Sequence, residues 1–360
     1  MSSPIRHTLR NDTATSLLSE IQSRHPYPLS IQIIVTYQCN LHCAHCFLIK
    51  DRSPQQHLTL EDYERLFDDW ADLGVIQLCI SGGEAALRPD LADIVAAASK
   101  RRYATRLKTS ANQFTTDDAT LLYEMGLAVV EVSVYHADAE KHDRFVRKNG
   151  AFDTAFRFAR QFQKHGGIVQ LNIMAMNWNI DAIPKLLDLA ETEGFLYSVD
   201  LYIRTKEDGT LSPTALRPDL DAMEQLMRDP RIVDLKTLTA LPGKDRNAKI
   251  CGAGVSILQV EPNGDVRLCD KFPWVLGNVR RQSLKDIVDQ SAVLKRLRET
   301  RWKDLSVCGN CTASGICAHC PGAALLETGD HLNPLPFECD ITARKMKLLG
   351  RPFRKPYDRR

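Results

Sequence analysis

Three cysteines stand close together directly after an apolar run near the start of the chain. The run covers residues 31–35, and the thiols follow as Cys39, Cys43 and Cys46. A short run rich in isoleucine and valine predicts a buried strand, so the thiols lie on the loop that leaves this strand. Three thiolates without a fourth can hold three irons of a four-iron cubane and leave the last iron open to an outside ligand.

Short apolar runs alternate with stretches of helical periodicity between residues 31 and 203. Six β-α units of this kind predict an α/β fold in which a parallel sheet curls into a partial (β/α)6 barrel of the TIM type. The predicted strands cover residues 31–35, 75–80, 105–108, 128–134, 169–176 and 198–203, and the predicted helices cover 60–73, 90–100, 116–125, 155–165 and 180–191.

Unusual polar residues follow every predicted strand. This pattern is expected if the register is right, because the chemistry of a parallel sheet collects at the carboxyl ends of its strands. In strand order these residues are the cysteine loop, residues 81–84, residues 109–112, Tyr135 and His136, Asn177, and Arg204.

The segment 39–46, CNLHCAHC, resembles the cluster-binding loop of the radical S-adenosylmethionine (SAM) enzymes. His45 stands where that family commonly has an aromatic residue, and the resemblance covers about residues 30–205. It implies a [4Fe-4S] cluster on Cys39, Cys43 and Cys46 whose open iron chelates SAM. It further implies reductive cleavage of SAM to a 5′-deoxyadenosyl radical that removes a hydrogen atom from the substrate.

The resemblance also implies a set of SAM contacts. Gly82, Gly83 and Glu84 match the motif that binds the SAM amino group, with Ala85 in place of the usual proline. Glycines let a backbone approach closely and a carboxylate accepts hydrogen bonds from an ammonium group, although a plain strand-to-helix turn fits the same residues. Contacts to the SAM ribose or carboxylate are implied for Asn112, Ser133, Asn177 and Arg204, each of which alone fits a surface or capping residue equally well.

Seven further cysteines follow residue 250. Paired C-x2-C units are common zinc ligands, but a zinc ribbon would use four thiols and leave three idle. The array resembles the SPASM domain, which holds two auxiliary iron-sulfur clusters, expected here to be [4Fe-4S]. By the family pairing, Cys308, Cys311, Cys317 and Cys339 hold the distal cluster, and Cys251, Cys269 and Cys320 hold the proximal one.

Two details of this array leave ligands open. The last two cysteines of the central group are separated by two residues where the family usually has three. Seven thiols serve two clusters, so either one iron is open or bound by another ligand, or the proximal cluster is smaller. Cys79 completes the count of 11 cysteines. It fits a buried inert thiol, or a hydrogen-atom donor that shares a strand face with Ser81.

The auxiliary clusters favour a net two-electron oxidation, because they can accept the electron that a product radical must lose. Segments 132–136 and 320–330 resemble enzymes that modify ribosomally made peptides, which predicts oxidative crosslinking of such a peptide. A dehydrogenase or epimerase of a small molecule, such as a sugar or an aminoglycoside, is the alternative, and a non-catalytic electron-transfer protein is the third hypothesis. Nothing ranks the candidate bases, which are Glu131, Tyr135, His136, Asp200 and Tyr202.

Partners and compartment follow from composition. With a formal net charge of +2 over 360 residues, the chain shows no nucleic-acid signature. It has no apolar run of membrane-spanning length and no secretory signal between Met1 and Pro28, so we expect a cytoplasmic enzyme whose clustered thiols bind metal. The expected partners are a peptide with a leader and a reductant such as flavodoxin or ferredoxin. Only the short segment 1–29 precedes the first predicted strand, so leader recognition is expected to need a separate protein or another surface.

The predicted divisions follow these patterns. They are an N-terminal extension (1–29), the barrel (30–205), a linker with one helix at 218–227 (206–250), the auxiliary-cluster domain (251–340) and a basic tail (341–360). The tail could dock an acidic leader or simply be solvated. Its cations are Arg344, Lys345, Lys347, Arg351, Arg354, Lys355, Arg359 and Arg360, against Asp358.

Overall fold

Six parallel strands form the first part of the sheet in a computed structural model that describes residues 25–49 and 57–355. Each strand pairs with the next one along the chain, and every predicted strand is confirmed with its ends within three residues. Residues 1–24 of the predicted extension, and Asp358, Arg359 and Arg360 of the tail, lie outside the described residues. The strands are β1 (Ser30–Ile34), β2 (Gln77–Ser81), β3 (Ala104–Thr109), β4 (Val129–Ser133), β5 (Ile168–Met174) and β6 (Leu196–Asp200).

The crossover helices confirm the five predicted ones and add a sixth. The unpredicted helix is α4 (Ala139–Val146). Its sequence, AEKHDRFV, places its large apolar side chains only at the end, so it shows no helical period. The other five are α1 (Leu60–Asp72), α2 (Leu91–Lys100), α3 (Thr116–Glu124), α5 (Ala151–Lys164) and α6 (Ile183–Glu193).

The two faces of the sheet differ in polarity. In β5, Val169, Leu171 and Ile173 are buried, whereas Gln170 and Asn172 on the opposite face are only partly buried. Because side chains alternate along a strand, the apolar face packs against the helices and the polar face lines the interior of the barrel. The sequence folds this way because apolar residues occupy every second position.

The sheet curls so that its sixth strand returns toward its first. After β6, the backbone N–H of Glu207 donates to the carbonyl of Phe47, which lies in the loop after β1, at 3.1 Å. The Arg204 guanidinium carbon lies 3.3 Å from the centroid of the Phe47 ring. Within residues 25–49 and 57–355, β6 pairs only with β5, so the barrel stays open, as the predicted partial barrel requires.

The auxiliary-cluster module extends the same sheet. Strand β7 (Ile257–Val260) pairs in parallel with β1, and β8 (Asp265–Arg267) and β9 (Val275–Asn278) continue antiparallel. A tight turn joins β7 and β8, and Gly264 adopts there a φ of +89°, which favours glycine. The module therefore shares one nine-stranded sheet with the barrel. No local pattern predicts this pairing, because all the other barrel strands and the linker separate β1 from β7 along the chain.

Short helices complete the chain. The linker contains the expected helix as α7 (Leu220–Leu226) and an unexpected one, α8 (Leu235–Ala240), followed by α9 (Leu284–Gln290), α10 (Ala292–Glu299) and α11 (Pro321–Thr328). The last helix, α12 (Pro336–Leu348), contains both Cys339 and the first three cations of the predicted tail, so the helix extends beyond the predicted boundary at residue 340. None of the helices in the described ranges combines the length and apolar composition that a membrane crossing requires.

Candidate active site and metal centres

The cysteine loop after β1 is held against the turn after β2. The N–H groups of Gly83 and Glu84 donate to the carbonyls of Thr36 and Gln38, both at 2.8 Å. A Cβ atom at Gly83 would overlap the carbonyl oxygens of Tyr37 and Gln38. Gly83 therefore lets the turn after β2 pack closely against the backbone that leads into Cys39.

The Glu84 carboxylate is buried and fully hydrogen-bonded within the chain. One oxygen accepts from the Thr109 hydroxyl at 2.5 Å and the Ala86 N–H at 3.1 Å. The other accepts from the Ser110 N–H at 2.9 Å and from the Ser110 hydroxyl. Since a carboxylate offers about four acceptor positions, these bonds use its capacity and fix the loop after β3.

A relay of polar side chains connects Glu84 to the cysteine loop. Ser110 contacts both Glu84 and Asn112, and the Asn112 carbonyl accepts from the Asn40 amide, inside the cysteine loop, at 2.6 Å. Between them, Ala111 has a φ of +54°, a strained value for a residue with a side chain. Asn40 and Ser110 were missed as site residues, because the cysteine spacing and the strand ends mark a segment without ranking its polar members.

An aromatic wall covers the other side of the loop. The His45 ring lies 4.8 Å from that of Tyr135 and 5.4 Å from that of Phe145, and the Tyr135 and Phe145 rings lie 5.0 Å apart. Ser133, a predicted SAM contact, hydrogen-bonds to the Tyr135 phenol. Burial, reinforced by the neighbouring thiols of the loop, raises the pKa of Tyr135 well above its ordinary value. Burial lowers the pKa of His45 to about 4, so the wall is uncharged at neutral pH.

Two other predicted SAM contacts have different partners. The exposed Asn177 amide donates to the carbonyl of Ala215 at 3.1 Å. Arg204 forms an ion pair with Asp270 at 2.8 Å and donates to its carbonyl at 2.7 Å. In the described part of the chain, neither residue hydrogen-bonds to the Glu84–Asn112 relay. The structure thus brings Gly82, Gly83, Glu84 and Asn112 together and attaches Asn177 and Arg204 elsewhere.

Charged groups line the interior of the barrel. The Glu131 carboxylate pairs with Arg106 through one oxygen and accepts from the Asn172 amide at 2.8 Å through the other. Lys108 lies 4.0 Å from the same carboxylate and is 42% exposed. Cys79 lies on this interior face of β2, and burial raises the pKa of its thiol. Its surroundings agree with a neutral thiol at pH 7.

The other candidate bases already have partners. The Asp200 carboxylate accepts from the backbone N–H of Tyr202 at 2.9 Å, and the Tyr202 phenol donates to Glu327. His136 accepts from the Asp138 N–H at 2.8 Å through Nδ1 and stacks on Trp178. Their geometry gives no one of them priority as a general base.

Four thiols of the auxiliary module line one cavity. They are those of Cys308, Cys311, Cys317 and Cys339, the set that the family pairing implies for the distal cluster. Burial raises the pKa of Cys308 to about 12, with further contributions from its neighbours Cys317 and Cys311. Among the described residues, no three potential ligands converge closely enough for a single metal ion. Four cysteine thiolates are the ligand set of a [4Fe-4S] cluster, so the donors that line this cavity suit one.

The remaining three thiols of the module form a second group. Burial raises the pKa of Cys269 to about 12, helped by Asp270, Cys251 and Cys320. Burial opposes ionisation of Asp270, but Arg204, Lys271 and Lys108 hold its pKa below the usual value. This grouping matches the set implied for the proximal cluster. Of the 11 cysteines in the sequence, only Cys79 belongs to none of the three groups, so no other thiol is available as a fourth ligand.

A buried polar bridge joins the module to both ends of the cysteine loop. On the module side, Arg267 lies 3.4 Å from a Glu261 oxygen, and Glu261 accepts from the Tyr37 phenol just before Cys39. Arg267 also pairs with Glu207 at 3.2 Å, and Glu207 accepts from the N–H of Ile49, just after Cys46, at 3.0 Å. Arg267, Glu207 and Glu261 are all at least nine-tenths buried.

Two family profiles match separate parts of this chain. The profile of the Radical SAM superfamily matches residues 33–190, which include the cysteine loop and the Glu84–Asn112 relay. The SPASM profile, described as an iron-sulfur cluster-binding domain, matches residues 251–312. The second match contains Cys251, Cys269, Cys308 and Cys311, and the other three thiols follow it.

Known proteins resemble the chain over most of its length. The AdoMet-dependent heme synthase of Methanosarcina barkeri is 27% identical over 329 residues, which is 84% of this chain and 94% of the relative. The antilisterial bacteriocin subtilosin biosynthesis protein AlbA of Bacillus subtilis is 26% identical over 309 residues, 82% of this chain and 67% of the relative. The crystal structure of Streptococcus suis SuiB bound to precursor peptide SuiA superposes with a TM-score of 0.67 at 18% identity, covering 91% of this chain and 81% of SuiB.

Proposed function

The chain belongs to the radical SAM superfamily and has a SPASM iron-sulfur cluster-binding domain, and on this premise we propose that the enzyme oxidatively crosslinks a ribosomally made peptide. The observation that supports an oxidation best is the division of ten cysteines into three groups, one after β1 and two in the module whose strands extend the same sheet. Two auxiliary groups in addition to the SAM site suit a reaction that must remove a second electron. The bacteriocin biosynthesis protein among the relatives and the precursor-peptide complex of SuiB favour a peptide as the substrate.

SAM and iron-sulfur clusters are the cofactors of this enzyme, and when bound they supply the 5′-deoxyadenosyl radical and the electron acceptors. We assign Cys39, Cys43 and Cys46 to the SAM cluster. The distal auxiliary cluster is assigned to Cys308, Cys311, Cys317 and Cys339, and the proximal one to Cys251, Cys269 and Cys320 with one iron open or held by a different ligand.

The residues around the cysteine loop act by positioning and by excluding water. Glu84 and Asn112 orient the loop from one side, so in this proposal they set where the SAM amino group and ribose bind. Ser133 and Tyr135 close the other side together with the aromatic wall, which keeps water away from a reactive radical. Asn177 and Arg204 remain proposed SAM contacts, but each must first exchange the partner described above, so we expect each to contribute less to SAM binding than Asn112 does.

The interior of the barrel suits a peptide. A peptide presents carbonyl and N–H groups, and the Asn172 and Gln170 amides and the exposed end of Lys108 provide complementary donors and acceptors. Glu131 neutralises Arg106, so this wall does not require a strongly charged substrate.

Leader recognition and electron supply complete the proposal. Arg344 and Lys347 pair with Glu224 at 3.0 and 2.9 Å, and Arg351 donates to the carbonyl of Thr239. These internal contacts make the basic segment a poor docking site for an acidic leader. We propose that a separate protein or another surface binds the leader, and that reduced flavodoxin or ferredoxin supplies the electron.

The test is anaerobic incubation of the cluster-loaded enzyme with SAM, a reductant and candidate precursor peptides, which are to be sought among short open reading frames beside the gene. We expect 5′-deoxyadenosine and a peptide that is lighter by two hydrogens, measured by mass spectrometry. The heme synthase among the relatives makes a non-peptide product, so a tetrapyrrole, a sugar and an aminoglycoside are the comparison substrates. Turnover of one of these with an unchanged peptide would replace the proposal with the small-molecule alternative, and no 5′-deoxyadenosine under any condition would leave an electron-transfer protein.

A further inference from the structure

One polar atom at the distal thiol cavity has no partner. The imidazole of His319 lines the cavity beside Cys308, Cys311, Cys317 and Cys339. Its Nε2 atom is buried and, among the described residues, forms no hydrogen bond. Leaving such a buried group without a partner costs about 1–3 kcal/mol, so the position calls for a partner.

The other polar groups of the cavity wall are already engaged. The Trp302 indole N–H donates to the carbonyl of Cys308 at 3.1 Å. The Ser314 hydroxyl accepts from the Lys244 N–H at 3.1 Å, and the Thr342 hydroxyl bonds to Cys317. In the described part of the chain, each of these three side chains has a hydrogen bond, whereas Nε2 of the imidazole has none.

We propose that His319 Nε2–H donates a hydrogen bond to a sulfur of the distal auxiliary cluster and thereby raises the reduction potential of that cluster. This inference rests on the ligand set proposed above, in which four cysteines complete the cluster without the imidazole. A neutral imidazole has one N–H, and four thiol sulfurs line the cavity as acceptors, so the tautomer with the proton on Nε2 is the one that can bond to them.

The physical basis is the charge of the reduced cluster. Reduction adds negative charge to the sulfurs, and a donor aimed at them stabilises the reduced state more than the oxidised one. The cavity is lined on other sides by the Trp302 and Phe353 rings, and an apolar surrounding strengthens a single hydrogen bond. The distal cluster would then be the better final acceptor for the electron that leaves the product radical.

The test compares reduction potentials of cluster-loaded full-length variants by EPR-monitored redox titration. In His319→Phe, we expect the equilibrium constant for reduction of the distal cluster to fall about tenfold, equivalent to about 59 mV for one electron. His319→Gln keeps an N–H donor and is expected to recover most of this loss.

His331→Phe is the matched control. The ring of His331 stands edge-on to Trp274 at 5.4 Å, as that of His319 stands to Trp302 at 5.9 Å, but His331 lies outside the thiol cavity. We expect the reduction potential of the distal cluster to be unchanged in His331→Phe. An unchanged potential in His319→Phe, or an equal shift in both variants, overturns the proposal.

A second measurement on the unaltered enzyme covers the case in which His319→Phe fails to load iron. Electron-nuclear double resonance of the reduced distal cluster should detect a coupled N–H proton that disappears in D2O and is absent from His319→Gln at the same coupling. A nitrogen coupling strong enough for direct iron ligation, or no exchangeable proton at all, contradicts the hydrogen bond. None of these results depends on peptide turnover, so they are distinct from failure of the proposed function.

Discussion

The cysteine loop, which we assign to the SAM cluster and call the SAM-cluster loop below, and the distal thiol cavity are built in opposite ways. The three thiols of the loop lie within the short segment 39–46, yet the groups that hold this loop come from distant segments: the turn after β2, the loop after β3, Glu207 after β6, and Glu261 between β7 and β8. The four distal thiols are spread from Cys308 to Cys339 but are enclosed mainly by their own segment and an apolar wall. The first site therefore depends on the whole sheet, whereas the second depends on local packing.

The largest expected effect comes from adding one methyl group behind the SAM-cluster loop. In Gly83→Ala the new Cβ overlaps two backbone carbonyls, which cannot move aside as a flexible side chain could. A displacement of about 1 Å at a reacting centre can cost about 100-fold in rate, so we expect SAM cleavage to fall at least that far.

The control for that variant is Gly243→Ala. A Cβ at Gly243 would meet only the Ser314 hydroxyl at 3.5 Å, an ordinary contact. We expect full 5′-deoxyadenosine formation, measured by liquid chromatography. Equal activity of Gly83→Ala and Gly243→Ala would show that SAM cleavage does not depend on the close packing of the loop against Gly83.

The buried polar bridge of Arg267, Glu207 and Glu261 offers a way to test whether the auxiliary module positions the SAM-cluster loop. Breaking a buried ion pair costs about 3–5 kcal/mol, and Arg267→Met leaves Glu207 and Glu261 without their common partner. We expect weaker binding of SAM and at least a tenfold loss of SAM cleavage, with auxiliary iron content retained. The exposed Arg246→Met is the control, and Arg267→Lys should recover part of the loss. If Arg267→Met still bound SAM normally, the auxiliary module would not be needed to position the SAM-cluster loop.

A smaller effect distinguishes the predicted SAM contacts from each other. Asn112→Ala removes a buried amide that joins Asn40 to Ser110, at a cost of about 1–3 kcal/mol, so apparent affinity for SAM should fall about tenfold. Asn177→Ala removes one exposed hydrogen bond and should change affinity less than about twofold. Isothermal titration under anaerobic conditions measures both. The reverse ranking would make Asn177 the stronger SAM contact and contradict the role proposed for Asn112.

A separate effect, on folding stability and not on SAM binding, is the acid sensitivity of a histidine beside the aromatic wall. His142 stacks on Tyr135 and accepts its backbone N–H through Nδ1, and burial lowers the pKa of His142 from 6.5 to about 4. Because the unfolded chain binds the proton first, this group's stability contribution is present above pH 6.5 and is lost as pH falls from there through 4. At pH 5 the loss is about 2 kcal/mol.

His142→Gln keeps an acceptor but does not titrate, so its melting temperature should fall less between pH 7 and pH 5 than that of the unaltered enzyme. Other buried histidines, such as His45, contribute equally to both proteins and cancel in the difference. An identical fall in melting temperature for the two proteins would mean that the surroundings do not keep the His142 ring neutral.

Much of this architecture follows from local patterns. Apolar runs predict all six barrel strands, and the strand-end rule places Glu84 and Asn112 at one edge. The same rule cannot orient a side chain: Arg204 follows β6 as predicted but pairs with Asp270, 66 residues further on. The β1–β7 pairing and the burial of Arg267 depend on tertiary contacts, and an arginine in a hairpin strand gives no sign of its two carboxylate partners.

The central claim is that Cys39, Cys43 and Cys46 hold a cluster with one iron open to SAM. The most direct test is electron-nuclear double resonance of the reduced enzyme with SAM labelled with ¹⁵N in its amino group. We expect a ¹⁵N coupling to one cluster, and we expect it to be lost in Cys43→Ala while the auxiliary signals persist. No coupling in the unaltered enzyme, or a coupling that survives Cys43→Ala, would contradict it.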